Sequence, residues 1–296
     1  MNYYDEIKEN LIRCEIYDKS KDFSKNKNRV ITYFKNGKLL NEAGKEYGKN
    51  IIKHYSEKLM IEVGKKYNER TLRRIRQFYL LFKNEIWSTV STKLTWSHYV
   101  ELIKFDNVDL ISYYINISIN NNLSVRELRN KIKNKEYQRL PFNTKQVLKA
   151  ADNMTIKNFI KHPILIKNKY NTVNITERML KNLILEDMDS FLKELGNGFC
   201  YIENEYKIKL DDRYNYIDIL LFNIEFNCYV VVELKVTELK KEHIGQIEIY
   251  MNYIDKNVKK TNHNKTIGII IAKRDNKFVM EYCSDSRIYN TTYELI

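Results

Sequence analysis

The sequence predicts an α+β or α/β chain in two parts, a helical first half and a mixed β-sheet flanked by helices, and three observations carry that reading. Before about residue 140 the apolar residues recur at helical spacing, whereas after residue 199 they gather into Val, Ile and Leu runs that fit buried strands. The charge divides at the same place. Of the net +13, residues 1–140 hold 28 Lys+Arg against 17 Asp+Glu, a net of +11, and residues 141–296 carry only +2. Both prolines, Pro141 and Pro163, fall between the two patterns. The expected division is therefore a helical domain over 1–140, a linker over 141–170 and a sheet domain over 171–296.

In the first half, Ile52, Tyr55, Leu59 and Val63 mark a helix from Lys49 to Val63, with Gly64 as its C-terminal cap. A second helix spans Asn68 to Phe82, where Leu72, Ile75, Tyr79 and Phe82 form an apolar stripe and Arg70, Arg73, Arg74 and Gln77 line another face. Helix, short turn, basic helix is the outline of a helix-turn-helix, whose second helix presents Arg and Gln to base edges and phosphates. Short helices follow over Ser97–Phe105 and Val108–Asn116, and the capping box Ser124-Val125-Arg126-Glu127 opens another that reaches Tyr137. The excess of positive charge on this half points to a polyanion as its partner, nucleic acid before membrane.

The second half is expected to begin with one helix over Thr176–Leu195, stopped by Gly196. Strands follow at Phe199–Leu210, Tyr214–Phe222 and Cys228–Val236, the first two joined through Asp211-Asp212-Arg213. A helix over Lys241–Lys256 then leads to a buried strand at Thr266–Ala272, and Ile288–Glu294 reads as an edge strand. Three consecutive strands suit a meander, and strand-helix-strand adds a parallel crossover.

Composition removes several classes of function. A chain with 43% apolar residues, 23 Tyr and 12 Phe has a core to bury, and 8 Gly with 2 Pro exclude collagen-like or linker architecture. Apolar runs such as Ile267–Ala272 are far too short to span a membrane, and the first residues lack a basic then apolar leader, so a cytoplasmic location is expected. The four cysteines stand singly, without C-x-x-C, and are expected as small core residues rather than zinc ligands. Neither a G-x-S-x-G elbow nor a phosphate-binding glycine loop occurs.

Three ionisable residues interrupt otherwise apolar strands: Asp218 within YIDILL, and Glu233 and Lys235 within VVELK. A buried charge is costly unless paired or bound to metal. Glu233 and Lys235 are two apart and share a face, and a short connection lays the Asp218 strand beside them. Converging carboxylates form a hard-oxygen site for Mg2+, with Mn2+ as a substitute, and the lysine could orient or help deprotonate an attacking water. That is the chemistry of phosphodiester hydrolysis. An ordinary buried Glu-Lys pair is the competing explanation. Gln246 and Tyr250, one turn apart on the following helix, could face the same point.

D-x(14)-E-x-K followed by Q-x-x-x-Y resembles the PDDEXK, or restriction-endonuclease-like, superfamily. Five segments extend the likeness over nearly the whole chain: RTLRRIRQFY (70–79), LTWSHY (94–99), LSVREL (123–128), FLKELGNGF (191–199) and YIDILL (216–221). Together they resemble the YhcG-like family, in which a helical, winged-helix-like N-terminal domain precedes a PDDEXK nuclease domain. The resemblance implies a catalytic centre of Asp218, Glu233 and Lys235, with Asp218 and Glu233 on the metal and Gln246 in support. The superfamily adds an acid from the first helix. Asp187, near the edge of the apolar stripe, is the first choice, with Glu177 as rival and Glu186 pointing away. The expected activity is Mg2+-dependent endonucleolytic cleavage of DNA docked by the N-terminal domain; the alternatives are a catalytically silent DNA-binding or assembly module and an RNA-cleaving enzyme. By analogy, a homodimer would allow both strands to be cut.

Overall fold

The computed structural model describes residues 3–19, 25–48, 50–83, 94–141, 160–170 and 175–296, so most of the expected linker, 142–159, lies outside the described residues. The chain divides into two units, Met1–Tyr137 and Gln138–Ile296.

Among its described residues the first unit is built from helices alone. Two of them, α1 (Tyr3–Lys19) and α2 (Lys25–Tyr47), have no counterpart in the sequence reading. Then come α3 (Ile51–Glu62), α4 (Glu69–Phe82), α5 (Trp96–Leu102), α6 (Val108–Asn120) and α7 (Val125–Lys133), with α8 (Glu136–Arg139) at the boundary. Asn68 caps α4 by accepting from the Thr71 N–H at 3.0 Å, and Ser124 and Glu127 close the expected box on α7. The buried stripe of α4 is Leu72, Ile75, Phe78 and Phe82, so Phe78 takes the core place expected of Tyr79. Helix α2 crosses α4 closely at Gly37, where a Cβ would stand 2.5 Å from the Ile75 carbonyl oxygen.

The second unit is one six-stranded sheet in the order β1-β6-β5-β4-β3-β2. The expected meander is present as β2 (Phe199–Leu210), β3 (Arg213–Asn223) and β4 (Cys228–Glu238), paired antiparallel. After α11 (Lys241–Asn257), β5 (Ile267–Arg274) returns parallel to β4, and the short α12 (Lys277–Glu281) precedes β6 (Ile288–Leu295). Strand β6 is not an edge. It lies between β5 and β1 (Ile164–Ile166), three residues that the sequence reading leaves in the linker. So short an apolar triplet carries no periodicity from which to read a strand.

The helix expected over Thr176–Leu195 is two helices, α9 (Glu177–Glu186) and α10 (Met188–Leu195). Asp187 breaks it: its backbone leaves the helical region (φ −134°, ψ 54°), and its carboxylate accepts from the Ser190 N–H to start α10. Aspartate competes for backbone donors in this way, which is why it favours caps over helix interiors. Helices α9 and α10 cover one sheet face through Leu180, Leu183, Ile184, Phe191 and Leu195. Helix α11 covers the other through Ile247, Tyr250, Met251 and Ile254. Each fully buried aliphatic or aromatic side chain contributes about 1.5–3 kcal/mol. Gly268 on β5 admits α11 to close contact, since a Cβ there would meet Met251 Sδ at 2.6 Å and Ile247 Cδ1 at 2.9 Å. Of the cysteines, Cys14 and Cys228 are buried as expected, whereas Cys200 faces solvent from β2. Among the described residues no helix is long and apolar enough to cross a membrane.

Candidate active site

Strands β3 and β4 pair in register from Asn223–Cys228 to Ile219–Val232, and the ladder stops there. The next residues along are Asp218 and Glu233. Asp218 replaces the missing backbone partner with its own carboxylate, which accepts from the Leu234 N–H at 3.0 Å. The gap in the ladder thus leaves two carboxylates side by side on neighbouring strands. Glu233 is 2% exposed. Its Oε1 accepts from Lys235 Nζ at 2.8 Å, while Oε2 is buried and finds no hydrogen-bond partner among the described residues. Burial pushes the Glu233 carboxyl up to about 7, and the Asp218 charge adds to the effect.

Lys235 answers in the opposite sense. Burial works to lower its pKa, but the Glu233, Glu177 and Asp218 carboxylates prevail and raise it, so the amine stays charged. Glu177, in the first turn of α9, reaches to 4.0 Å from Lys235 Nζ. Asp187 is not brought here. It ends α9, about 15 Å along the axis from Glu177, and pairs with Lys167. Of the rival acids, Glu177 is the one beside the site; Glu186 pairs with Lys169 and Tyr170.

From α11, Gln246 Nε2 donates to the Tyr250 hydroxyl at 3.0 Å. Burial raises the Tyr250 pKa, the Gln246 bond opposes it, and the Glu233 and Asp218 charges add to the rise, so Tyr250 lies within the field of both carboxylates. Two side chains here escape the sequence reading. Lys181 Nζ donates to Glu205 Oε1 at 2.7 Å and stands 3.5 Å from Asp218 Oδ1. Its place one turn after Glu177 is the signal that could have found it. His243, three residues before Gln246 and on the same face of α11, is buried, and burial together with the Lys235 charge lowers its pKa.

Among the described residues no group of three or more His, Cys, Asp or Glu is arranged as a metal cluster. The two carboxylates of Asp218 and Glu233 would fit a hard divalent cation that keeps waters and shares phosphate oxygens. The unpartnered Glu233 Oε2 is what such an ion would satisfy.

On α4, Arg70 is exposed, and Arg73 is exposed but held to Glu69 at 2.5 Å. Arg74 is half-buried. Gln77, expected on the same face, donates its amide to the Ile103 carbonyl at 2.7 Å, so the three arginines form the cationic face.

Residues 157–295 match the family described as YhcG PDDEXK nuclease domain, and residues 18–139 match the DUF1016 N-terminal domain. In both halves the chain is therefore similar to the YhcG-like family. The Escherichia coli (strain K12) protein named "Putative nuclease YhcG" is 25% identical over 285 residues, 82% of this chain and 74% of that protein. Among solved structures, a repair endonuclease from Pyrococcus abyssi aligns at 18% identity and a TM-score of 0.30, over 41% of this chain and 48% of its own. An EndoMS complex with double-stranded DNA aligns at 17% and 0.29, over 44% of this chain and 48% of that one. By the two family matches the chain joins a DUF1016 domain to a nuclease domain of PDDEXK type, and its alignment spans about half the length of each of those two structures.

Proposed function

We propose that the protein is a divalent-metal-dependent endonuclease that hydrolyses DNA phosphodiesters at Asp218, Glu233 and Lys235. The observation that carries this is the buried Glu233 oxygen without a partner, beside a second carboxylate and a charged lysine. Such an atom is satisfied by an ordered water or an ion; other buried atoms of the chain are also unpartnered, and it is the second carboxylate and the charged lysine beside Glu233 that favour an ion here. Asp218 and Glu233 would hold Mg2+ or Mn2+, which when bound would neutralise charge on the scissile phosphate and acidify the attacking water. Lys235 keeps its proton, so it orients that water and stabilises the developing negative charge rather than acting as the base. Tyr250 and Gln246 fix each other and line the wall on the α11 side. Glu177, rather than Asp187, serves as the first-helix acid.

The N-terminal unit docks the nucleic acid, with Arg70, Arg73 and Arg74 on the second helix of a helix-turn-helix and a net +11 behind them; no wing strand accompanies it among the described residues. A cleavage panel tests the whole reading: linear, supercoiled, branched and single-stranded DNA, and RNA, with Mg2+, Mn2+ or a chelator. Metal-dependent cutting of at least one DNA, abolished by Lys235→Ala, is the expected result. A protein that binds DNA and cuts none of these would be a silent binding module, and cutting confined to RNA would move the substrate class.

A further inference from the structure

The hairpin of β2 and β3 has one buried face and one exposed face. Ile208 and Ile217 turn inward, into the core that α11 covers. The alternate residues Lys207, Lys209, Tyr214 and Tyr216 are all exposed on the opposite side. The register sets Lys207 opposite Tyr216 and Lys209 opposite Tyr214, and Lys207 Nζ lies 3.8 Å from the centre of the Tyr214 ring. These are two rungs, each an amine beside an aromatic ring.

The rungs lead to the candidate site. Tyr216 is two residues from Asp218, and Lys207 is two from Glu205, which is hydrogen-bonded to Lys181 beside Asp218. Arg178, exposed on α9, acts electrostatically on the same Glu205. Glu205 itself has a left-handed backbone (φ 51°) between the paired positions Asn204–Ile219 and Tyr206–Ile217. Cations thus extend from Asp218 outward along the rungs, with Glu205 among them already engaged by Lys181 and the acids Asp211 and Asp212 confined to the turn at the far end.

We infer that this face is a track for an unpaired DNA strand running to Asp218 and Glu233, with Lys207 and Lys209 on the phosphates and Tyr216 and Tyr214 stacked on bases. Two features choose an unpaired strand over a duplex. A base pair in a helix hides both its faces, whereas exposed rings need a free base face to stack on. Successive rungs are about 7 Å apart along the strands, roughly twice the 3.4 Å rise of stacked duplex, which leaves room for a ring between neighbouring bases. The inference rests on the nuclease reading for its direction toward the site, and adds that the substrate presents single-stranded nucleotides there, as at a flap, fork or gap.

The test is binding by fluorescence anisotropy, with the full chain in chelator so that nothing is cut. The probes are a labelled 20-nucleotide mixed-sequence DNA strand, its blunt duplex and the matching RNA strand. The double variant Tyr214→Ala/Tyr216→Ala is expected to lose about tenfold or more in affinity for the single strand, with duplex binding changed by less than about twofold. Tyr214→Phe/Tyr216→Phe is expected to restore single-strand binding. A role in hairpin stability alone would lower the melting temperature without moving the ratio of single-strand to duplex affinity. Equal loss on both DNA probes, or no loss on either, overturns the track, and binding of the RNA strand alone overturns its assignment to DNA. If the wild type binds the strand through these tyrosines yet the cleavage panel is blank, the track stands and the hydrolytic reading falls.

Discussion

Two carboxylates of the sheet unit, Glu194 and Glu233, are both withdrawn from water, and their surroundings are opposite. Glu194 on α10 accepts from Arg139 at 2.6 and 3.3 Å and from the Leu165 N–H at 3.3 Å, with Lys161 Nζ 3.6 Å away. Burial pushes its pKa up, but Arg139 and Lys161 overcome that and lower it. Glu233 has one partner, Lys235, and an oxygen with none, and burial together with Asp218 raises it to about 7. The first carboxylate holds β1 and the start of the unit onto α10. The second is left with bonding capacity to spare. A saturated buried ion pair is architecture, while an unsaturated one, next to a second carboxylate, is what the proposed site is built on.

The sharpest way to break this contrast is to remove one cation from each cluster. Lys235→Ala is expected to lower cleavage by about a hundredfold or more, the scale of a lost electrostatic stabiliser, while Glu233, already raised by burial, takes up a proton so that a thermal melt falls little. Arg139→Ala should do the reverse, destabilising the fold by up to about 3 kcal/mol because it takes the main partner from a buried carboxylate and leaves it only Lys161 and the Leu165 N–H. If Lys235→Ala unfolds the protein and Arg139→Ala leaves its melting unchanged, the two assignments are exchanged.

Acid and base should also separate the clusters. The lowered Glu194 supports stability above the ordinary carboxylate range and loses that support as pH falls below about 4. The raised Glu233 acts in the other direction: its proton is held in the fold up to about 7, so its contribution is present at about pH 4 and is lost as pH rises toward 7, on the order of 3 kcal/mol at most. Denaturant midpoints at pH 3, 5 and 8 check this. Glu194→Gln should flatten the acid side of the profile and Glu233→Gln the neutral side, and a shared slope would contradict it.

A smaller effect discriminates the first-helix acids. Glu177→Gln is expected to slow cleavage by about tenfold, through the lost carboxylate beside Lys235. Asp187→Asn, with the same change in charge, should leave the rate alone. Asp187→Ala removes the α10 cap and costs about 1 kcal/mol of stability. Rates and melts of the three proteins decide between them.

Much of this site was legible in the sequence, because a charge inside an apolar strand is a violation that needs a reason. Asp218, Glu233 and Lys235 stand out against Val, Ile and Leu, and Gln246 with Tyr250 follow at one-turn spacing. The sheet from Phe199 onward is readable from the same contrast. The misses share a cause: the information lies between elements rather than along one. Lys181 is marked only by reaching Asp218 and Glu205 across the fold, and β1 only by the strand it pairs with. Helices α1 and α2 bury Ile7, Leu11, Cys14, Val30 and Leu40 among many Lys and Asn, so their apolar stripes are faint. Asp187 misled because its helical stripe continues through a break that its own side chain makes.

In the proposed mechanism Glu233 holds a bonding position for a divalent cation and Glu194 does not. Calorimetric titration of Mn2+ into the DNA-free protein at pH 8 tests it most directly, using wild type, Glu233→Gln and Glu194→Gln, each first shown to be folded. The account predicts one binding isotherm in wild type and in Glu194→Gln, and its loss in Glu233→Gln. Binding that survives in Glu233→Gln with unchanged affinity would contradict it.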